Sequence, residues 1–315
     1  MAEIVVISGK GGTGKTSLTA AFAHLAGDAI LCDLDVDAPD LHLLLQPAIR
    51  QRHDFYAGYE AVIQPDRCCG CDICRQICRF DAVQPGTPAP VIDPLKCEGC
   101  KVCVAFCPDN AIAFESKHCG VWYTSDTRFG PMVHAQLFPG GENSGRLVAL
   151  LRQTAKGMAM AREVPLIISD GPPGIGCPVI SALSGADLAV IVTEPTPSGL
   201  HDLERVASLC DHFSISVAVM INKFDLNAPL TGRIETFCHE RNYSVVARLP
   251  HDPLFVLSMV HGKAVTEYAD RDAARRIRQG WDAILTLSKG LATSKKRRLP
   301  ADGSPSRMAH NGVQP

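Results

Sequence analysis

The sequence lacks a long apolar segment, contains few aromatic residues and carries almost no net charge. No apolar run among its 315 residues approaches the roughly 20 residues that a helix needs to cross a bilayer. The first apolar run is interrupted by Gly9 and Lys10, so it does not resemble a secretion signal. A net charge of −2 argues against a surface built for nucleic-acid backbones. We therefore expect a cytoplasmic protein without stable membrane insertion and without nucleic acid as a partner.

Aliphatic residues dominate what the sequence does contain. Hydrophobic residues make up 46% of the chain and aromatic residues only 6%, a composition typical of buried parallel sheets. Short apolar runs recur at residues 3–8, 29–33, 165–170, 186–193, 214–222 and 244–249. Helical patterns lie between them, after the first run and at residues 144–162, 199–212 and 231–241. This alternation predicts an α/β fold with a mostly parallel sheet and helices on both faces.

The alternation stops between about residues 55 and 115, where most of the cysteines lie. The chain has 14 cysteines, and nine of them fall between Cys68 and Cys107. In a long chain without a secretion signal, such clustering indicates metal ligation rather than disulfides. We therefore expect an inserted domain at residues 55–116.

Eight of these cysteines form two runs with one spacing, Cys68-x2-Cys71-x2-Cys74-x3-Cys78 and Cys97-x2-Cys100-x2-Cys103-x3-Cys107. In bacterial ferredoxins with this spacing, three cysteines of one run and the fourth of the other hold each [4Fe–4S] cluster. The expected ligand sets are Cys68, Cys71, Cys74 with Cys107, and Cys97, Cys100, Cys103 with Cys78. Zinc is the alternative, since four-cysteine zinc sites also use Cys-x2-Cys, but the repeated triple spacing favours two clusters in an α+β ferredoxin domain. The first run departs from the pattern at Arg79, where proline is usual.

A glycine-rich segment follows the first apolar run and precedes a helical pattern. Residues 9–16 read Gly-Lys-Gly-Gly-Thr-Gly-Lys-Thr and match the phosphate-binding loop G-x-x-x-x-G-K-[ST] in its required setting. In such loops backbone N–H groups surround phosphate oxygens. Lys15 would contact the β- and γ-phosphates, and the Thr16 hydroxyl would bind Mg²⁺. The predicted nucleotide-binding residues of this segment are Gly9, Gly11, Gly12, Thr13, Gly14, Lys15, Thr16 and Ser17.

The extra lysine of the loop, Lys10, makes it resemble the deviant Walker A loop of the MinD/ParA/nitrogenase-iron-protein superfamily. Residues 33–42 resemble the switch I of that superfamily, and residues 170–176 resemble its Walker B and switch II segments. The resemblance covers about residues 1–53 and 117–290. It implies that Lys10 reaches across a nucleotide-sandwiched dimer to the partner's phosphates. The expected partner is a second copy of this chain or a related ATPase.

Polar residues that follow the apolar runs complete the predicted site. Asp170 would hold the Mg²⁺ shell, and Asp35 and Asp37 would lie near the γ-phosphate, because phosphoryl transfer depends mostly on positioning and electrostatics. Asn222 begins an Asn-Lys-x-Asp pattern that reads guanine in other P-loop proteins. The resemblance instead implies that this asparagine contacts adenine with a later segment at Pro250, so we expect ATP. The predicted catalytic residues are Lys10, Lys15, Asp35, Asp37 and Asp170.

The chain as a whole resembles ATPases of this superfamily that carry an inserted ferredoxin domain. The implied domains are 1–54 and 117–293 for the ATPase, 55–116 for the ferredoxin and 294–315 for a disordered tail. Because the insert closely follows switch I, nucleotide state should change the placement of the clusters. We expect an ATP-hydrolysing dimer coupled to electron transfer, with a redox protein as donor or acceptor. Two alternatives stay open: an ATPase that assembles or carries iron–sulfur clusters, and a MinD-like positioning ATPase with a redox-sensing ferredoxin.

Overall fold

The strands of the protein form one large sheet and one small hairpin. The computed structural model describes residues 1–298, with side chains through residue 291. The strands are β1 (Ala2–Ser8), β2 (Ile30–Asp33), β3 (Ala48–Ile63), β4 (Val83–Gln84), β5 (Val91–Ile92), β6 (Ile112–Thr127), β7 (Gly130–Leu137), β8 (Leu166–Pro173), β9 (Leu188–Thr193), β10 (Ser216–Asn222) and β11 (Ser244–Leu249). Nine of them form a sheet in the order β11-β10-β9-β1-β8-β2-β7-β6-β3, and β4 pairs with β5.

Helices connect most of the strands of the large sheet. They are α1 (Lys15–Ala26), α2 (Leu41–Leu45), α3 (Ile73–Ile77), α4 (Val102–Ala105), α5 (Ser144–Ala161), α6 (Cys177–Leu183), α7 (Pro197–His212), α8 (Ala228–Glu240), α9 (Leu254–Val260), α10 (Val265–Tyr268) and α11 (Asp272–Arg298). Neighbouring strands run parallel from β11 to β7, and β6 and β3 continue the sheet as antiparallel strands. The predicted α/β fold with a mostly parallel sheet is confirmed.

The sheet is buried on both faces because successive side chains of its central strands point in opposite directions. Val5 of β1 packs into a cluster with α5, α7 and α8, whereas Val6 packs into a cluster with α1 and α11. On the second face the rings of Phe22 and Trp281 stack with centroids 4.9 Å apart. Such a pair contributes about 0.5–1.5 kcal/mol beyond the area that it buries. The long α11 is therefore held against α1, which begins at the phosphate loop.

The order of the central strands determines where a ligand can bind. β1 lies between β9 and β8, and β8 lies between β1 and β2. The loops that follow β1, β2 and β8 therefore meet at the carboxyl edge of the sheet, where α/β proteins bind ligands. These loops contain the phosphate-binding residues and the predicted switch segments.

Two long antiparallel strands project from the sheet and carry the cysteine-rich segment. β3 and β6 each have 16 residues and pair from Ala48↔Asp126 to Ile63↔Ile112. β6 pairs with β7 only between Gly120 and Thr127, so the outer part of β6 pairs with β3 alone. Residues 64–111 lie at the far end of this two-stranded ribbon. Strand β3 was not predicted from the sequence, because its side chains are mostly exposed and polar residues interrupt its apolar ones, so it contains no long apolar run.

The boundaries proposed for the insert stay a prediction, but its inner architecture is a repeat. The second cysteine run follows the first 29 residues later, as Cys68 and Cys97 show. A left-handed backbone recurs at the same interval in two glycines, Gly70 (φ +72°) and Gly99 (φ +60°). Helices α3 and α4 begin at equivalent positions of the two halves. Both runs therefore wind through the same loop-then-helix conformation.

The C-terminal residues are only partly described. Helix α11 continues through Arg298, so residues 294–298 of the expected tail are helical. Residues 299–315, the rest of that expected tail, lie outside the described residues. Within residues 1–298, no helix is both long and apolar enough to cross a membrane.

Candidate functional site: a phosphate cleft and two cysteine cavities

The phosphate loop forms one wall of a cleft of about 550 Å³ at the carboxyl edge of the sheet. Residues 11–17 line it together with Asp35 and Asp37 from the segment after β2. Gly14 has a left-handed backbone (φ +89°), and a Cβ there would lie 2.6 Å from Asn222 Nδ2. Glycine is required at this position because any side chain would meet both obstacles. The loop can thus approach Asn222 and leave its amides facing the cleft.

Lys15 and Asp170 form a buried ion pair at the base of the cleft. Lys15 Nζ lies 2.9 Å from Asp170 Oδ1 and 3.7 Å from Asp35 Oδ2. Burial alone would lower the pKa of Lys15, but the carboxylates of Asp170 and Asp35 raise it. The lysine is therefore held charged where phosphate oxygens would replace the carboxylates as its partners.

Two hydroxyl groups of α1 complete the surroundings of Asp170. The Thr16 hydroxyl donates to Asp170 Oδ2 at 2.7 Å, and the Thr19 hydroxyl donates to Asp170 Oδ1 at 2.8 Å. A threonine hydroxyl beside a strand-end carboxylate is the pair that holds Mg²⁺ in P-loop proteins. Thr16 and Asp170 were predicted for this role, which stays a prediction. Thr19 was missed; its signal is a second hydroxyl one helical turn after Lys15.

The segment after β2 is held by hydrogen bonds to the Asp33 carboxylate, which does not face the cleft. Asp33 accepts hydrogen bonds from the backbone N–H groups of Asp35, at 3.1 Å, and of Leu41, at 3.2 Å. Burial and then the charge of Asp170 raise the pKa of Asp33 well above its usual range. Asp35 and Asp37, unlike Asp33, line the cleft. Burial is also the main reason that the pKa of Asp35 is raised.

Lys10 does not belong to the wall of the cleft. Its Nζ lies 2.5 Å from Glu194 Oε1 and donates to the hydroxyls of Thr196 and Ser198, each at 3.2 Å. Lys223 Nζ contacts the other oxygen of Glu194 at 3.0 Å. Burial alone would raise the pKa of Glu194, but the two lysines lower it. Glu194 was assigned no role from the sequence, although its position at the end of β9 resembles that of Asp170 on β8.

Of the residues predicted to contact the base, Asn222 lies beside the phosphate loop. Asn222 Nδ2 donates to the carbonyl of Thr13 at 2.8 Å, so the asparagine braces the loop. Pro250 follows β11, and the N–H of the next residue, His251, donates to Asp225 Oδ1 at 2.7 Å. The Asn-Lys-x-Asp segment and the segment at Pro250 are therefore neighbours. Their contact with adenine stays a prediction.

The eight spaced cysteines are divided between two cavities of the insert. The larger, of about 540 Å³, is lined by Cys78, Cys97, Cys100 and Cys103. The smaller, of about 20 Å³, is lined by Cys68, Cys71, Cys74 and Cys107, with Cys69 beside them. This grouping is the crossed one that the spacing predicts, with the last cysteine of each run among the first three of the other. Among the described residues, however, no three Cys, His, Asp or Glu side chains converge on a point that could hold a single metal ion.

The parallel sheet, the phosphate loop after β1 and the buried aspartate at the end of neighbouring β8 define a P-loop nucleotide-binding fold. A sequence model of the CobQ/CobB/MinD/ParA nucleotide-binding domain family matches residues 4–265. The chain belongs to this family of nucleotide-binding proteins. The resemblance to MinD and ParA proteins is thereby confirmed, whereas the ferredoxin insert stays a prediction.

Two uncharacterized proteins of Methanocaldococcus jannaschii are similar to this chain in sequence. One is 33% identical over 229 residues, covering 71% of this chain and 79% of the relative. The other is 27% identical over 275 residues, covering 86% of this chain and 93% of the relative.

Solved structures share the fold at lower sequence identity. The septum site-determining protein MinD of Pyrococcus horikoshii, in complex with Mg-ADP, aligns with a TM-score of 0.55 at 16% identity, over 92% of this chain and 98% of its own. The Cyanothece McdA(D38A)–ATP complex aligns with a TM-score of 0.53 at 13% identity, over 91% of this chain and 96% of its own. Identities this low show the fold alone.

Proposed function

We propose that the protein is an ATPase whose nucleotide-dependent dimer is coupled to electron transfer through two [4Fe–4S] clusters in its insert. The observation that carries the proposal is the division of the eight cysteines into two crossed sets of four at the end of the β3–β6 ribbon. Family membership supports the nucleotide half of the proposal. The related MinD and McdA structures contain Mg-ADP and ATP respectively.

At the phosphate cleft, the residues of this chain bind and orient the nucleotide. Lys15 exchanges its contact with Asp170 for the β- and γ-phosphates, and backbone amides of the loop surround the remaining oxygens. Thr16 and Asp170 hold Mg²⁺, which neutralises charge on the phosphates. Asp35 and Asp37 face the same cleft and orient the attacking water.

The role of Lys10 requires a second subunit. In the structure it is held by Glu194 of its own chain, so it contributes nothing to its own phosphate cleft. In the dimer it leaves Glu194 and contacts the phosphates of the partner subunit. Glu194 keeps Lys223 at 3.0 Å, so its charge stays compensated when Lys10 leaves.

The grouping of the cysteines in the insert fits two clusters. In a cubane each thiolate binds a different iron, so four sulfurs surround the cluster instead of converging on one point. This accounts for cysteine cavities without a single-ion site. When bound, the clusters supply one-electron transfer.

A short path of contacts joins the nucleotide cleft to the insert. Val36, between the two cleft aspartates, accepts a hydrogen bond from the N–H of Leu137 at 3.0 Å. The next residue, Phe138, donates its N–H to the carbonyl of Cys119 in β6 at 2.8 Å. On the insert, the carbonyl of Pro94 accepts a hydrogen bond from Lys117 of β6 at 2.9 Å. A change in the segment around Val36 therefore reaches the ribbon that carries the clusters.

A second candidate function is that of an ATPase that carries a cluster to another protein. The observation that favours it is a fifth thiol, Cys69, which lines the smaller cavity and is exposed to solvent. An extra accessible thiol provides a ligand through which a cluster can exchange. Transfer of iron and sulfide to an apo-ferredoxin, dependent on ATP, would favour this candidate over electron transfer.

The test is anaerobic purification followed by iron and sulfide analysis, EPR and an ATPase assay. We expect about eight irons per chain, from two [4Fe–4S] clusters, and loss of one cluster in Cys107→Ser. Cys210→Ser is the matched control, because Cys210 is buried in α7, outside the insert, and the variant should retain both clusters. Bound zinc, or a full iron content in Cys107→Ser, would contradict the proposal.

Coupling is tested by the midpoint potentials of the clusters with ADP and with a non-hydrolysable ATP analogue. A coupling of about 1–3 kcal/mol is typical between linked sites, which is about 40–130 mV for a one-electron couple. By thermodynamic reciprocity, reduction should change nucleotide affinity by the same free energy. Equal potentials in both nucleotide states would leave the insert uncoupled from the ATPase.

A further inference from the structure

The two halves of the insert have related backbones but opposite surface chemistry. Positions 29 residues apart are equivalent, so Lys101 at the larger cavity corresponds to Asp72 at the smaller one. In the same way Phe80, which lines the larger cavity, corresponds to Asp109. The repeat explains the cysteines on both sides but does not explain this difference.

Large apolar side chains on this rim are open to solvent. Phe106 is 65% exposed, Phe80 is 44% exposed and the smaller Val102 is 41% exposed. All three line the larger cavity. Exposed aromatic residues grouped around one cavity are typical of a protein-binding site rather than of scattered surface residues.

The same rim carries cations that have no carboxylate partner. Arg79 and Lys101 line the cavity and are exposed, and neither forms an ion pair with any carboxylate in the described part of the chain. Lys101 instead lies 5.3 Å from the centre of the Phe114 ring. At the smaller cavity Asp72 is paired with Arg75, so that rim is largely neutralised. Uncompensated positive charge is therefore concentrated at the larger cavity, with Glu98 as the one acidic residue of its lining.

We propose that the rim formed by Arg79, Phe80, Lys101, Val102 and Phe106 is the docking surface for an acidic one-electron carrier protein. This inference rests on the proposed electron-transfer function. A negatively charged carrier is steered to the unpaired cations, and its apolar contact area packs against the exposed rings. One electron would leave the reduced carrier and reduce, by one electron, the cluster that Cys78, Cys97, Cys100 and Cys103 would hold. The carrier is oxidised by one electron, and no covalent bond forms or breaks.

The experiment follows electron transfer from a reduced acidic ferredoxin to the anaerobic full-length holoprotein by stopped flow. In the wild type, the second-order rate constant should fall as NaCl concentration rises, because salt screens attraction between opposite charges. Arg79→Glu should lower the rate constant at low salt by on the order of tenfold and weaken its salt dependence. Arg233→Glu is the matched control, since it makes the same charge change on exposed α8 at the opposite end of the sheet and should stay within about twofold of wild type.

A second variant separates apolar contact from charge. Phe106→Ala should slow electron transfer while leaving the slope of its salt dependence unchanged. Iron content and EPR of each variant report whether the clusters are intact. A wild type without clusters refutes the proposed function, whereas intact clusters with equal rates in Arg79→Glu and Arg233→Glu refute the docking surface alone. Self-association of the wild type that Phe106→Ala abolishes would also overturn the proposal, because the rim would then be an interface between copies of this chain.

Discussion

Replacement of Asp170 by asparagine tests how the empty phosphate cleft is stabilised. The Asp170 carboxylate is completely buried and has three partners: Lys15 at 2.9 Å, Thr16 at 2.7 Å and Thr19 at 2.8 Å. Asparagine keeps the shape of the side chain but removes its charge. Its carbonyl oxygen can still accept one hydroxyl, while its NH₂ group is turned toward a second donor.

The expected loss of stability follows from the burial of Lys15. Its side chain is only 7% exposed, and in the variant its nearest remaining carboxylate is Asp35 at 3.7 Å. Removal of one partner of a buried ion pair costs about 3–5 kcal/mol. Because Asp35 remains nearby, we expect the lower end, about 3 kcal/mol. The pKa of Lys15 should fall as well, since the carboxylate that chiefly raises it is gone.

The assay is urea unfolding followed by circular dichroism, with and without ATP and Mg²⁺. A ligand present at 100 times its dissociation constant stabilises the folded state by about 2.7 kcal/mol. In the wild type this stabilisation should depend on Mg²⁺, because Asp170 and Thr16 hold the ion. In Asp170→Asn it should be the same with Mg²⁺ as with EDTA, and ATP hydrolysis should be lost.

The matched control is Asp126→Asn, the same substitution in an exposed ion pair with Arg50. Exposed pairs contribute about 0–1 kcal/mol, so this variant should retain nearly all of its stability and its response to Mg²⁺. The reasoning would be refuted if Asp170→Asn lost no more stability than Asp126→Asn, or if it still hydrolysed ATP at the wild-type rate.

Three further predictions concern other parts of the molecule. Lys10→Ala should still bind ATP but lose ATP-dependent dimerisation by light scattering; normal hydrolysis by a monomer would contradict this. Gly14→Ala should lose nucleotide binding in calorimetry, because its Cβ would lie 2.6 Å from Asn222 Nδ2. Burial, with a contribution from His42, lowers the pKa of His134 to about 4. Between about pH 6.5 and 4 the folded state then binds fewer protons than the unfolded state, so the free energy of unfolding decreases by about 3 kcal/mol as the pH is lowered through this window. Urea unfolding of His134→Gln should lack this loss.

The sequence by itself determined the features that depend on spacing along the chain. A phosphate loop is a contiguous segment between a strand and a helix, so Lys15 and Thr16 could be singled out from the sequence together with Asp170, and the structure brings the three into contact. The parallel sheet could be predicted because strands buried on both faces must be apolar throughout. The two cysteine sets also follow from local spacing, and their division between two cavities agrees with it.

The tertiary structure alone decided which distant residues meet. Nothing in the sequence around Lys10 indicates that Glu194, just after β9, holds the Lys10 side chain. That contact depends on the placement of β1 beside β9. Strand β3 was missed because it is an exposed ribbon strand whose stability comes from pairing with β6, more than 40 residues away in sequence at every pair. The uneven charge of the two cavity rims likewise became visible only when the cysteine repeat was folded. Contacts between segments far apart in sequence depend on how the layers of the fold pack. The local pattern of residues along the chain does not predict that packing.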